Sequence, residues 1–136
     1  MNEMDREIVV PNKAEIKYVE ERILKVRMLP ESIIDLTSAK TIVELATNIT
    51  GKEMHCNLID IRQMSYISSD AQKHFSNQNN TYVPAIGVLM VSSVQKKLVN
   101  LYFSLLNPMI PTRAFDNEHV AMNWLRKKLI ETEDYM

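Results

Sequence analysis

The sequence is poor in the residues from which catalytic and metal-bearing loops are usually built. Cys56 is its only cysteine, so no internal disulfide and no cysteine-based metal cage can form. Three separated histidines, His55, His74 and His119, offer no zinc-binding spacing, and no metal or other cofactor is expected. Gly51 and Gly87 are the only glycines, which leaves no glycine-rich loop to cradle phosphates. No apolar run approaches the roughly 20 residues that span a bilayer. Met1 to Asp5 lacks the basic start and apolar stretch of a signal peptide, so the expectation is a cytoplasmic protein without membrane insertion. Net charge is missing too. Sixteen basic against 17 acidic residues leave a formal charge of -1, which gives no global field to draw in nucleic acid or anionic lipid, and no nucleic-acid partner is expected.

What is present is apolar and patterned. A chain of 136 residues that is 46% hydrophobic has material for one continuous core. Residues 1–13 read as a tail or short edge strand, 14–130 as a single domain and 131–136 as a second tail. Between Glu15 and Met28 the runs EIKYV and RILKVRM flank a Glu-Glu pair, and Ile23, Lys25 and Arg27 alternate against Leu24, Val26 and Met28, which predicts a β-hairpin. After Pro30, a helix capped by Thr37 or Ser38 is predicted from the stripe Ala39, Ile42, Val43, Ala46 and Ile49, with Gly51 ending it.

The run His55 to Ile61 alternates little, as expected of a strand covered on both faces. A loop over Arg62 to Tyr66 and a short helix over Ser69 to Gln78 follow. Val83 to Val91 is the most apolar run and reads as a central strand, with Gly87 marking a close packing neighbour. Ser92 or Ser93 then caps a helix carrying one stripe of Val94, Leu98, Leu101, Tyr102 and Leu105 and part of another, Val99, Phe103 and Leu106. Thr112 to Phe115 gives a short strand. Asp116 or Asn117 caps a last helix that packs through Val120, Ala121, Trp124 and Leu125. The order predicts an α/β domain, with a mixed, mostly parallel β-sheet, an N-terminal hairpin and about four helices.

Leu58-Ile-Asp-Ile, Met64-Ser-Tyr-Ile and Ser68-Ser-Asp-Ala resemble the stretch of anti-sigma-factor antagonists, the STAS family, in which a strand ending in Asp-Leu leads to a Phe-Ile-Asp-Ser-Ser-Gly turn. The apolar strand ending at Val91-Ser-Ser, its helix, and the Phe115 strand before a helix with Ala121 and Leu125 resemble that family's closing elements. The likeness covers roughly Glu15 to Leu129 and implies a SpoIIAA-like fold, a group that also includes SEC14-like proteins. In that family the second serine of the turn is phosphorylated by a partner kinase. The resemblance sets Ser68 on the motif aspartate, Ser69 on the first serine, Asp70 on the phosphorylated serine and Ala71 on the glycine. Asp70 then carries a permanent negative charge at the start of a helix, where the macrodipole favours it.

From this likeness comes the expectation of a non-catalytic regulatory or scaffold module, binding a regulator or kinase-like protein through Asp60, Arg62, Ser65, Ser68, Ser69, Asp70, Ser92 and Ser93. Each residue also has a plain structural reading. Ser69 and Gln72 match a capping box, with Ser68 as the alternative cap, and either serine is a candidate phosphoacceptor. Asp60 and Arg62 read as an exposed ion pair contributing little, and Ser92 and Ser93 as caps. Lys96 and Lys97 read as a solvated helix face. Val99, Phe103 and Leu106 form an expected face for a homodimer or, in the alternative reading, for a small apolar ligand. A serine hydrolase using Ser68 or Ser69 with His74 as base and Asp70 as orienter is the third reading, and no nucleophile elbow accompanies it.

Overall fold

Alternation of apolar and polar residues marks β2 (Ala14–Glu20) and β3 (Ile23–Met28), which with the β-branched β1 (Glu7–Val10) pair antiparallel in sequence order. The structure, a computed structural model, describes residues 6–93, 96, 100 and 108–133. The chain reverses at Asn12 (φ 63°) and Arg22 (φ 67°), left-handed positions where glycine is more usual. The predicted hairpin is β2–β3, and β1 is the edge strand anticipated in the tail. Leu24, Val26 and Met28 are buried on one face of the sheet, while Ile23 is buried on the other, along the side where Lys25 and Arg27 stand.

The remaining strands of this sheet are parallel. β4 (Ile33–Ile34) lies outside it; β5 (Cys56–Asp60) pairs with β3, and after β6 (Tyr66–Ile67) come β7 (Ile86–Leu89), beside β5, and β8 (Thr112–Phe115), beside β7. The six-stranded order is β1-β2-β3-β5-β7-β8, so β7 lies one strand in from the edge. β4 and β6 form a separate two-stranded parallel ribbon, with β6 beginning at Tyr66, the last residue of the loop expected over Arg62 to Tyr66. In β5, Cys56, Leu58 and Asp60 are buried, and the strand is covered on both faces, as the weak alternation through Leu58, Ile59 and Ile61 suggests.

Three helices stand among the described residues. α1 (Leu36–Thr50) is capped by Asp35, not by Thr37 or Ser38: the Asp35 carboxylate accepts from Ser38 N–H at 2.8 Å and from its hydroxyl at 2.7 Å. Gly51 (φ 57°) ends α1 and its N–H donates to Thr47 O at 2.9 Å. α2 (Ser69–Ser76) begins at Ser68, and α3 (Glu118–Glu133) at Asn117, whose Oδ1 accepts from Val120 N–H at 3.0 Å. Val120 itself is exposed rather than packed; Met122 and Leu129 join Ala121 and Leu125 in the core instead. Of the expected fourth helix, only Ser93, Lys96 and Asn100 are described, all helical; Val94, Leu98, Leu101, Tyr102 and Leu105 lie outside the described residues.

α3 covers one sheet face, packing on Ile23, Cys56, Leu58, Leu89 and Phe115. α1 and α2 cover Leu24, Val26 and Met28 on the other. A third cluster, Val83, Ile86, Val88, Met90, Ile110 and Ala114, continues that second face over β7 and β8. Among the described residues, no helix is long and apolar enough to cross a membrane.

Candidate functional site

The carboxyl ends of β3, β5, β7 and β8 share one edge of the sheet, the side on which open parallel sheets place their ligands. Alternation along β5 turns Asp60 inward after Cys56 and Leu58, leaving it 4% exposed. Arg62 grips it with Nε to Oδ1 at 2.9 Å and Nη2 to Oδ2 at 2.7 Å, and its backbone N–H donates to Oδ1 at 3.1 Å. Lys25 Nζ stands 3.7 Å from Asp60 Oδ2, and both Lys25 and Arg62 reach Glu118 Oε1 at 3.1 Å. The expected exposed pair is therefore a buried carboxylate inside a four-membered network. Burial pushes the Asp60 carboxyl up, but the Arg62 hydrogen bonds and the charges of Arg62 and Lys25 outweigh it and hold it below the usual range. The Asp60 hydrogen bonds and charge conversely raise Arg62 against its own burial. Two cations facing two anions are mutually neutralised, and the network ties β3 and β5 to the first turn of α3.

Farther along the same edge, Asp116 does not cap α3. It accepts from the Ser93 hydroxyl at 2.6 Å and stands 3.4 Å from Lys96 Nζ, and these contacts, Ser93 foremost, lower its carboxyl from the usual value. Lys96 N–H donates to Ser92 O at 3.0 Å, which puts Ser92 at the start of a helical turn. Lys96 is thus engaged at the edge rather than only solvated.

At the start of α2, Ser68 is the cap and Ser69 is not. Ser68 Oγ accepts from Ala71 N–H at 3.2 Å and donates to Asp70 Oδ1, while its own N–H donates to Ile34 O at 3.0 Å. Gln72 Nε2 turns back to Ile67 O at 3.3 Å, so the Ser69–Gln72 capping box does not form. Ser69, Asp70 and Ser65 are exposed, and Ser65 N–H donates to Ser32 O at 2.8 Å, anchoring the loop before β6. Because the Asp70 carboxylate receives the Ser68 hydroxyl directly, no imidazole lies between them. Among the described residues the His74 ring bonds to neither, and the acid-base-nucleophile relay is not assembled.

Sequence reasoning did not single out the β4–β6 ribbon. Its register sets Ile33 opposite Tyr66, with Ile34 opposite Ile67. Ile34 is fully buried, whereas Ile33 and Tyr66 are 55% and 58% exposed. The only hint in the sequence is the adjacent Ile33-Ile34 pair, because two consecutive strand residues must point to opposite faces. An apolar pocket of about 270 Å³ lies between α2 and the second face of the sheet, lined by Ile59, Ile67, Phe75 and Val88 among others. Val99, Phe103 and Leu106, the expected dimer or ligand face, lie outside the described residues, as does Lys97. Among the described residues no three His, Cys, Asp or Glu side chains are grouped to hold a metal ion.

Residues 17–129 match a family described as a domain of unknown function, DUF7793. The fold is similar to that of an uncharacterised DUF3478-family protein with a SpoIIAA-like fold from Shewanella loihica PV-4, at 12% identity and a TM-score of 0.60 over 82% of this chain and 91% of that one. A protein of unknown function from Arthrobacter sp. FB24 aligns over 82% of this chain and 97% of its own, at 20% identity and a TM-score of 0.32. No curated protein matches the chain. The SpoIIAA-like likeness anticipated from the Leu58–Ala71 motif is therefore present at the level of fold.

Proposed function

We propose that this chain, which belongs to the DUF7793 family, is a non-catalytic regulatory or scaffold module that binds another protein through the β4–β6 ribbon and the start of α2. The observation that carries this reading is the side-by-side exposure of Ile33 and Tyr66 on the ribbon. Single exposed apolar residues are ordinary, but two large ones in direct register form a patch that water solvates poorly. A tyrosine that is apolar along its ring and polar at its tip is a common anchor at protein interfaces. Asp70 stands exposed in the first turn of α2, directly after β6, and supplies a negative charge, so the partner surface carries an apolar recess beside a cationic group. The resemblance to anti-sigma-factor antagonists points to a regulator or kinase-like partner. With aspartate at the phosphorylated position, binding at this edge does not wait for a phosphate.

The test is a pull-down of the tagged full chain from its own host, with mass spectrometry of the captured proteins and of the intact bait. Wild-type protein is expected to capture a partner that both Ile33→Ser/Tyr66→Ser and Asp70→Lys lose while remaining folded. A folded double variant that captures the same proteins, or a wild-type bait that returns alone, overturns the proposal. A phosphate found on Ser68 or Ser69 overturns the phosphate-independent part of it. Light scattering on the purified chain separately tests the homodimer expected through Val99, Phe103 and Leu106.

A further inference from the structure

We infer that the pocket between α2 and the sheet binds a small uncharged molecule, apolar over most of its length and carrying a hydrogen-bond donor at one end. The inference does not depend on the protein-binding edge, whose exposed residues Ile33, Tyr66 and Asp70 do not line the pocket.

Size and lining define the apolar body. An apolar cavity of ~150 Å³ stays dry and takes up benzene. The 270 Å³ here suits a molecule of roughly two fused rings on the same scale. Ile59, Ile61, Ile67, Phe75, Val88 and Met90 are part of a mainly apolar wall, whose polar members among the described residues, Gln72, Ser76 and Thr112, are uncharged. A carboxylate or ammonium entering there would lose hydration with no counter-charge among the described lining residues to replace it.

The polar end comes from an adjoining pocket of about 60 Å³ that shares Ile59, Phe75 and Ile86 with the first. Its polar lining is Thr47, Thr50, His55, Asn57, Gln78 and Asn80, of which Gln78 Nε2 donates to His74 O at 2.7 Å and Asn80 Oδ1 accepts from Tyr82 N–H at 2.9 Å. The Thr47 and Thr50 hydroxyls already donate to Val43 O at 2.8 Å and Ala46 O at 3.0 Å. His55 is 2% exposed, and its Nδ1 lies 2.8 Å from Glu53 O. A carbonyl oxygen can only accept, so Nδ1 carries the proton and the neutral ring presents Nε2 as an acceptor. Burial lowers the His55 pKa, against the opposing Glu53 hydrogen bond, and so favours that neutral ring. Asn57 Oδ1 is buried without a hydrogen-bond partner. Asn57 Oδ1, with His55 Nε2 as a second acceptor in the same lining, leaves a place that an O–H or N–H donor fills, with the Asn57 amide turning to meet it, and a hydroxyl there can also accept from the Gln78 or Asn80 amide.

The probes are 2-naphthol, naphthalene and 2-naphthoate, which share one ring system and differ in the end group, added to the isotope-labelled full chain and followed by amide chemical shifts. Saturable binding of 2-naphthol is expected, with shifts centred on Ile59, Ile67, Phe75 and Val88. Its affinity should exceed that of naphthalene by about tenfold, the worth of one well-placed hydrogen bond. 2-Naphthoate should bind more weakly than either. Asn57→Leu should reduce the preference for naphthol over naphthalene, and Val88→Phe, which fills the pocket, should abolish binding of both. Absence of saturable binding, or shifts located elsewhere, overturns the site. Equal affinities for naphthol and naphthalene, as expected if water already serves the two acceptors, overturn the donor end. The wild-type shift map decides the location even where Val88→Phe fails to fold.

Discussion

The Arg62 guanidinium closes a two-pronged grip on the Asp60 carboxylate, with contacts of 2.9 and 2.7 Å, although only one residue separates them in the chain. The grip closes over an inward-pointing aspartate at the end of a core strand. Asp60 is buried while Arg62 is partly open to solvent, so the loss falls asymmetrically on the carboxylate if the arginine is removed. Arg62→Ala leaves Lys25, at 3.7 Å, as the remaining cation beside Asp60. The expected cost is about 1–3 kcal/mol, below the ~3–5 kcal/mol for fully buried pairs because Lys25 and water compensate in part. Urea unfolding of the two proteins measures it. A change under about 0.5 kcal/mol would return the pair to the class of surface contacts.

His55 gives the fold a pH dependence that can be separated from its carboxylates. Its folded-state pKa is lowered, chiefly by burial, so the ring in the unfolded chain, with a pKa near ~6.5, binds a proton that the folded ring resists. The contribution of His55 is therefore fully present above about pH 6.5 and declines as the pH falls below it toward the folded-state value. Glu20, Asp60 and Asp116 have lowered pKa values, so their contributions are present above the unfolded carboxylate range and lost only below about pH 4. Melting temperature is expected to drop between about pH 7 and pH 5 in the wild type, and His55→Leu should flatten that slope. An unchanged slope in the variant would show that some other group titrates.

The start of α2 separates its two adjacent serines. Ser68 Oγ accepts the Ala71 N–H and donates to Asp70, whereas Ser69 is exposed at the first helical position. Ser68→Ala is expected to cost about 1 kcal/mol, the usual worth of an N-cap. Ser69→Ala should stay within about 0.5 kcal/mol, as exposed substitutions generally do. Thermal or urea unfolding distinguishes them. A loss at Ser69→Ala with none at Ser68→Ala would mean that Ser69 is the cap and the helix starts one residue later.

Much of this architecture is legible in the chain, and the failures are local. The hairpin shows itself by period-two alternation, β7 by a short apolar run with nothing polar to place on a solvent face, and β5 by adjacent apolar residues, Leu58 and Ile59, that point to opposite faces. The cap of α1 is not decidable from residue type, since Asp35, Thr37 and Ser38 all favour that position and only backbone geometry selects Asp35. Val120 sits beside the stripe Ala121, Leu125 and Leu129, and a one-residue error in its centre turns an exposed valine into a packed one. The β4–β6 ribbon has two residues on each strand, too few to show any period, and so the Ile33–Tyr66 patch leaves almost no trace. An Asp-x-Arg spacing says nothing of burial. The alternation Cys56, Leu58, Asp60 does, because it assigns the aspartate to the inward side.

Gly87 offers a test of how closely the sheet and α3 are packed. It lies in β7 with an ordinary backbone, and a Cβ placed on it would meet Leu125 Cδ1 and Leu58 Cδ1 at 3.5 Å and Phe115 Cε2 at 3.6 Å. Those are normal van der Waals distances, so alanine fits without displacing its neighbours. The close approach suggested by a glycine in a core strand is therefore loose enough for one more methyl group. Alanine also narrows the conformations open to the unfolded chain, an effect of ~0.4–1 kcal/mol where the folded backbone is compatible. Gly87→Ala is expected to raise stability by about that amount, seen as a higher urea midpoint at unchanged slope. A loss of more than about 1 kcal/mol would mean that Leu58, Leu125 and Phe115 cannot accommodate the methyl group, and that α3 packs more tightly on β7 than these distances indicate.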